Sequence, residues 1–366
     1  MRIGRLPGSA FALMLCLSIM PAVAQRANPP SQAAQTSRPQ PDPDPIALIQ
    51  LVDAALLAVP SPQATDRAQG DIPLKWESSH FIKGQTGAYI PFTVSFDPAL
   101  VKSTDVAVYV RAIEKSQLPA VVAALTPATS PAAGGTPAPP KYAWDHVYFL
   151  PRPPDGRITR ALALPPGEYE LFVAVKERTS AAPTVSSTPP IAGPLKSGLL
   201  RHPVAAPDFN RPDLQTSSVM LARAVQPVSS QLSAAEQVAN PYVFGPMRIV
   251  PSVDGRFAKT SELQLLFWVY GATSVTGGKP DVSIDYSFYQ KQPDGTDRYF
   301  NKTKPQELNP TTLPPEFNLA AGHQLPGSLI VDLMPFPSGD YRLEIKVTDR
   351  PSGKVVTQNV PFTVTG

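Results

Sequence analysis

From about residue 72 onward, apolar and polar residues alternate in short runs, the period-two pattern of strands that bury one face. A first set comprises YIPFTVSF (89–96), DVAVYVRAI (105–113), AWDHVYFL (143–150), RITRALAL (157–164) and EYELFVAVK (168–176). A second comprises MRIVPS (247–252), LQLLFWVYG (263–271), DVSIDYSFYQK (281–291), SLIVDL (328–333), DYRLEIKVT (340–348) and VVTQNVPFTV (355–364). Asp-Gly pairs at 155–156, 254–255 and 294–295 suit tight corners, because glycine tolerates positive φ. The two sets align. PGEYELFVAVKER (166–178) and SGDYRLEIKVTDR (338–350) keep Gly, Tyr, Leu, Val and Arg in register 172 positions apart, and DVAVYVRAIEK and DVSIDYSFYQK repeat at a spacing of 176. Two different strands recurring at nearly one offset predict a duplicated all-β domain.

In the first copy Tyr169, Leu171, Val173 and Val175 share one face; in the second Tyr341, Leu343, Ile345 and Val347 do. These are the expected core faces. A Pro-Gly or Ser-Gly turn followed by Tyr at a strand start matches the corner of immunoglobulin-like sandwiches, where the tyrosine hydroxyl bonds back to nearby backbone. Tyr169 and Tyr341 are therefore read as structural tyrosine corners. The runs Gly167–Val175 and Gly339–Val347 resemble bacterial immunoglobulin-like or fibronectin-type-III-like modules, over about two thirds of the chain. The resemblance implies two immunoglobulin-like β-sandwiches in tandem, as in exported bacterial proteins. It implies nothing firm about function, since such modules serve adhesion, enzyme spacing, envelope assembly and ligand binding alike. Two departures from antibody domains stand out: no inter-sheet disulfide can form, and Trp268 falls on the second strand of its copy rather than the third.

The expected organisation places domain 1 at 72–205, interrupted by Pro-, Ala- and Thr-rich loops at 125–140 and 179–194. A connection at 206–246 follows, with a short helix over SQLSAAEQVA, and domain 2 occupies 247–366. Ahead of the strands, IALIQLVDAALLAV (46–59) predicts a helix, with Asp44 to cap it, Pro45 at its first position and Pro60 to stop it. It is apolar on nearly every side, so something must cover it: its own protein, a partner or a membrane surface. Residues 25–45 are polar and Pro-rich, and read as a disordered spacer.

Composition adds three points. Proline accounts for 46 of 366 residues, more than double the usual ~5%, which favours short strands and loops over long helices. Arg2 and Arg5, the apolar run Phe11–Met20 and Ala22-Val23-Ala24 form the pattern of a signal peptide over residues 1–24. Acylation at Cys16 is the alternative, with Leu15 standing where a small residue is expected. Cleavage after Ala24 predicts a periplasmic or extracellular protein with no transmembrane segment and no cysteine. Loss of Arg2 and Arg5 takes the formal charge from +3 to +1, so no global field draws the chain to nucleic acid.

Candidate chemistry is sparse. His80, His146, His202 and His323 lack metal-ligand spacing, and adjacent strand residues Asp145 and His146 point to opposite faces. GATSVTGGKP (271–280) resembles a phosphate loop, but Thr273 and Pro280 stand where Gly and Ser or Thr are needed, so a strand connection is expected. Asp208, Asn210 and Asp213 offer oxygens for calcium without the required glycine. No cofactor and no catalytic set is expected. LQLLFWVYG is apolar on both faces, so Leu266, Trp268 and Tyr270, behind the core face, must be covered, by the interdomain connection or the helix at 46–59, or offered to a partner. The first copy carries Phe172 and Ala174 behind its core face where the second carries Glu344 and Lys346. The expectation is a non-catalytic interaction or structural protein that binds a protein partner through Leu266, Trp268 and Tyr270. The alternatives are a carbohydrate-binding module, and an enzyme of unrecognised type.

Overall fold

The computed structural model describes residues 43–58, 68–126, 140–178, 194–229 and 232–366. The expected signal peptide, most of the spacer and most of the loops at 125–140 and 179–194 lie outside the described residues. The chain is mostly β and divides into two compact units, one ending at Asp208 and the other running from Phe209 to Gly366.

The N-terminal unit contains β1 (Ala68–Gly70), β2 (Lys75–Ser79), β3 (Ile82–Lys83), β4 (Ala88–Ser95), β5 (Asp105–Glu114), β6 (Trp144–Pro151), β7 (Arg157–Leu164), β8 (Gly167–Glu177) and β9 (Ser197–Ala206). One sheet runs β1-β9-β8-β5-β6; in the other, β4 lies between β7 on one side and β2 and β3 on the other. Trp76 of β2 joins the layers, stacking on Phe92 of β4 and on His202 of β9 at 4.0 Å. Along β8, the inward Leu171, Val173 and Val175 and the outward Phe172 and Ala174 are all buried. A strand covered on both faces carries a nearly continuous apolar run, which is why the alternation weakens here.

The outer cover is helix α1 (Pro43–Ala58). Leu48, Val52, Ala55 and Leu56 pack on Ala107, Tyr109, Phe172, Ala174 and Leu199, and helix α2 (Leu118–Leu125) adds Val121. Helix α1 starts three residues before the expected 46, so Asp44 does not stand before the helix as a cap. It lies in the first turn, where its carboxylate accepts from Lys176 Nζ at 2.5 Å and Arg178 Nε at 3.0 Å. Further along, Asp53 meets the buried Arg111 at 2.6 Å. Helix α2 went unforeseen because eight apolar and small residues match a strand as well as a helix.

The C-terminal unit contains β10 (Gln215–Thr216), β11 (Met220–Pro227), β12 (Val243–Phe244), β13 (Met247–Pro251), β14 (Arg256–Ala258), β15 (Glu262–Tyr270), β16 (Val282–Lys291), β17 (Asp297–Lys302), β18 (Gln306–Leu308), β19 (Leu325–Asp332), β20 (Gly339–Asp349) and β21 (Lys354–Thr365). Its first sheet centres on β15, flanked by β19 on one side and by β10 and β11 on the other; β13 and β12 extend it. Its second sheet runs β14-β21-β20-β16-β17, with β18 also on β16. The two sheets share one core, in which Leu263, Leu265, Phe267 and Val269 meet Ile284, Tyr286, Leu343 and Ile345. Residues 206–246 are more than a connection: β10 to β12 belong to the first sheet, and helix α3 (Ala234–Ala239) starts at a Ser233–Glu236 capping box.

The duplication extends beyond the two aligned strands. The order β6-β5-β8-β9 recurs as β17-β16-β20-β21, and the β4 sheet with its flanking strands recurs around β15. At the same corner of each unit, Tyr169 Oη donates to Pro165 O at 3.0 Å and Tyr341 Oη donates to Pro337 O at 2.8 Å. Gly167 (φ 156°) and Gly339 (φ 145°) turn the chain into the strand just before each ring. Both rings are buried, so Tyr169→Phe and Tyr341→Phe are each expected to cost about 0.5–1.5 kcal/mol, the net value of one hydrogen bond. Urea unfolding of the two variants checks this, and similar losses are expected.

Candidate functional site

The aromatic face of β15 is covered by its own unit. Leu266 and Trp268 are buried and Tyr270 is half-buried. Phe244 of β12 packs its ring edge-on against Trp268 at 5.0 Å, Phe209 lies 5.1 Å from Tyr270, and Ser217 Oγ accepts from Trp268 N at 2.9 Å. The surface expected at Leu266, Trp268 and Tyr270 is therefore not open to a partner. The segment read as a connection supplies the cover, because β10 to β12 must bury their own apolar side chains against something.

Open surface lies instead on the outer face of the β14-β21-β20-β16-β17 sheet. Strand β20 alternates strictly: Tyr341, Leu343, Ile345 and Val347 point into the core, while Arg342, Glu344, Lys346 and Thr348 point outward. Across the sheet Lys346 lies opposite Asp285 and Thr357, and Glu344 lies opposite Ser287 and Asn359. No helix is packed on this face among the described residues.

At one end the face deepens into a cleft of about 340 Å³. Arg342, Asn359 and Pro361 form its floor, the Asp254-Gly255 corner one wall, and Lys291 and Asp297 of the β16–β17 hairpin the other. Arg342 organises the floor. Its guanidinium donates to Asp297 at 2.5 Å, Glu344 at 3.0 Å and Asn359 Oδ1 at 2.5 Å, and lies 4.1 Å over the ring of Tyr289. Arginine suits this position because its planar fork reaches several acceptors while stacking on a ring. On the wall, Asp254 Oδ1 accepts from Arg223, Ser252 Oγ and Arg256 N. Partial burial pushes its pKa up, but these donors outweigh that and hold it below the ordinary carboxylate value. Asp340 completes the rim, accepting from Thr363 Oγ1 at 2.7 Å. The arrangement presents fixed donors and acceptors in a polar recess.

The other candidates from sequence are not drawn together. Asp145 accepts from Tyr109 Oη and pairs with Arg111, while His146 leans on Tyr148. Asp213 faces Lys354 at 3.4 Å, and no group of three or more His, Cys, Asp or Glu residues suited to a metal occurs among the described residues. The stretch at 271–280 folds back as a loop closed by a Ser274–Pro280 bridge. Sequence reasoning missed the cleft because Asp254, Asp297 and Asn359 are far apart in the chain. The polar pair Glu344 and Lys346, singled out behind the core face, lies next to the cleft without lining it.

No protein-family model and no curated protein sequence matches the chain. Among solved structures, trypsin-activated alpha-2-macroglobulin from Escherichia coli aligns at 11% identity and a TM-score of 0.22, over 82% of this chain and 17% of that one. Salmonella alpha-2-macroglobulin reacted with methylamine aligns at 12% identity and a TM-score of 0.19, over 83% and 17%. A DUF4785 family protein from Legionella pneumophila aligns at 10% identity and a TM-score of 0.21, over 79% and 56%. The chain thus spans about a sixth of the length of the macroglobulins it matches and about half that of the Legionella protein.

Proposed function

We propose that this chain is an exported, non-catalytic binding protein of the bacterial periplasm or cell envelope, built from two immunoglobulin-like or fibronectin-type-III-like modules. It holds a protein partner on the outer face of the β14-β21-β20-β16-β17 sheet. The signal-peptide pattern at residues 1–24 supports export. One contrast carries the binding reading: the same strand face is treated oppositely in the two units. In the N-terminal unit it is apolar, at Phe172 and Ala174, and lies under α1. In the C-terminal unit the matching positions are polar, Glu344 and Lys346, and the face stays open beside a cleft. Charges of alternating sign across a flat sheet set the register and identity of a partner more than they add raw affinity.

A charge exchange tests this. Lys346→Asp combined with Asp285→Lys keeps a pair of opposite charges across the two strands while inverting what a partner meets. Both positions sit outside the core, so stability is expected to stay within about 0.5 kcal/mol of the parent. Affinity capture from the native envelope fraction is expected to recover a specific partner with the parent chain and to lose it with the exchanged variant. Equal recovery by both would overturn the assignment of this face.

A further inference from the structure

We propose that the cleft and the row of side chains leading from it form a binding site for a neutral oligosaccharide, one row along the same sheet face from Glu344 and Lys346. Pro361, Arg342, Tyr289 and Tyr299 are consecutive cross-strand partners on β21, β20, β16 and β17. Three interstrand spacings make this row about 14 Å long, a track for several linked sugars rather than one. At its far end Tyr299 is 53% exposed as a residue, and its ring stands edge-on to Tyr289 at 5.8 Å. One face of Tyr289 is occupied by Arg342, which leaves Tyr299 to offer an apolar ring face beside a polar recess. A sugar ring needs that combination, since it has C–H groups on one face and hydroxyls around its edge.

The charges select against other ligands. Asp254, Asp297 and Asp340 each commit one oxygen to a partner within the chain: Asp254 and Asp340 use Oδ1, and Asp297 uses Oδ2. Among the described residues Asp297 and Asp340 each accept through one oxygen only, so at least two acceptors remain at the cleft beside the Asp254 carboxylate. Lys291, which lines the cleft, the Arg342 guanidinium, and Arg223, paired with Asp254, are the cationic groups beside them. An anionic ligand would face three carboxylates. A cationic one would face Arg342 and Arg223, which already pair with Asp297 and Asp254, and Lys291 beside them. Hydroxyls donate to carboxylates and accept from guanidinium or ammonium at once, so a neutral polyol satisfies both sets without adding charge. The volume of about 340 Å³ falls at the lower end of the range for small-molecule sites.

The full chain should be titrated with neutral α- and β-linked hexose oligomers of increasing length, and with uronic acid oligomers as the charged comparison, followed by saturation-transfer NMR. Affinity is expected to rise from the monosaccharide to the longer neutral oligomers. Tyr299→Ala should weaken it by about tenfold or more, and Tyr299→Phe should retain it, because the ring face and not the hydroxyl makes the contact. Asn359→Ala, which removes an acceptor from Arg342, should also weaken it. Tyr299 is exposed, so an unchanged thermal transition in Tyr299→Ala separates lost binding from lost fold. The Lys346→Asp, Asp285→Lys exchange should leave saccharide binding intact even where it abolishes protein capture, which keeps the two proposals apart. No binding by any neutral oligomer, a preference for the uronic acids, or equal binding by Tyr299→Ala and the parent would each overturn the site.

Discussion

Leu48→Ala is expected to destabilise the N-terminal unit by about 2–5 kcal/mol, the range for truncating a buried leucine that leaves a cavity. Leu48 is almost fully buried between α1 and the outer face of the β1-β9-β8-β5-β6 sheet, against a layer that includes Tyr109, Phe172 and Ala174. Urea unfolding followed by tryptophan fluorescence reads the loss, since Trp76 and Trp144 both lie in this unit. The ion pairs under the helix predict an asymmetry in the same experiment. Asp53→Ala should cost up to about 3 kcal/mol, because it leaves the Arg111 guanidinium buried with Asp145 only at 3.6 Å. Arg111→Met should cost less, since Asp53 and Asp145 are each partly solvated and Met fills the space without a stranded charge. If the two substitutions cost the same, the helix is not anchored through Arg111. Asp44 adds a pH dependence of known sign. Burial alone would raise its pKa, but Lys176 and Arg178 hold it below the ordinary carboxylate value of 3.8. A lowered folded pKa means that the stabilisation is present above about pH 4 and is lost as the pH falls through the folded value. Asp44→Asn should therefore flatten the acid limb of the stability profile.

How far the sequence discloses this molecule depends on whether an interaction is local in the chain. The tyrosine corners were legible because the whole motif, from Pro165 to Tyr169 and from Pro337 to Tyr341, fits within five residues. The repeat was legible because two strands kept both their pattern and their spacing. Alternation also gave the polar outer face of β20, but it could not say which apolar faces are open. Trp268 and Tyr270 looked like binding anchors from residues 263–271 alone, and Phe209, Ser217 and Phe244 that cover them lie 24 to 61 positions upstream. Phe172 and Ala174 pose the same question and receive their answer from α1, more than a hundred positions upstream. The cleft was invisible for a related reason: its floor and two walls come from a corner, a hairpin and two strands, and no short window contains more than one of them.

Phe267→Ala and Gly327→Ala should both be strongly destabilising to the C-terminal unit, for opposite reasons, and their effects should not add. The two residues are cross-strand partners on β15 and β19. The Phe267 ring is fully buried and lies over the glycine so closely that a β-carbon on residue 327 would come within 2.3 Å of its Cζ. Phe267→Ala removes a ring from the centre of the shared core and should cost about 3–5 kcal/mol. Gly327→Ala overfills the same spot, pushes the ring off its rotamer, and should cost about 1–3 kcal/mol. In the pair Phe267→Leu with Gly327→Ala, the smaller side chain frees the space that the new methyl occupies. The double variant should therefore be more stable than the two separate losses imply, with a coupling of about 1 kcal/mol or more. Strict additivity in the unfolding free energies would mean that the ring moves aside at no cost, and the glycine would then need another explanation. Gly353 is the matched control: it has φ of 69° but nothing within 4 Å of an added β-carbon, so alanine there reports backbone strain without crowding. A cost at 353 that is near 1 kcal/mol and indifferent to Phe267, beside one at 327 that vanishes when the ring shrinks, would separate conformational from steric demand for glycine within one unit.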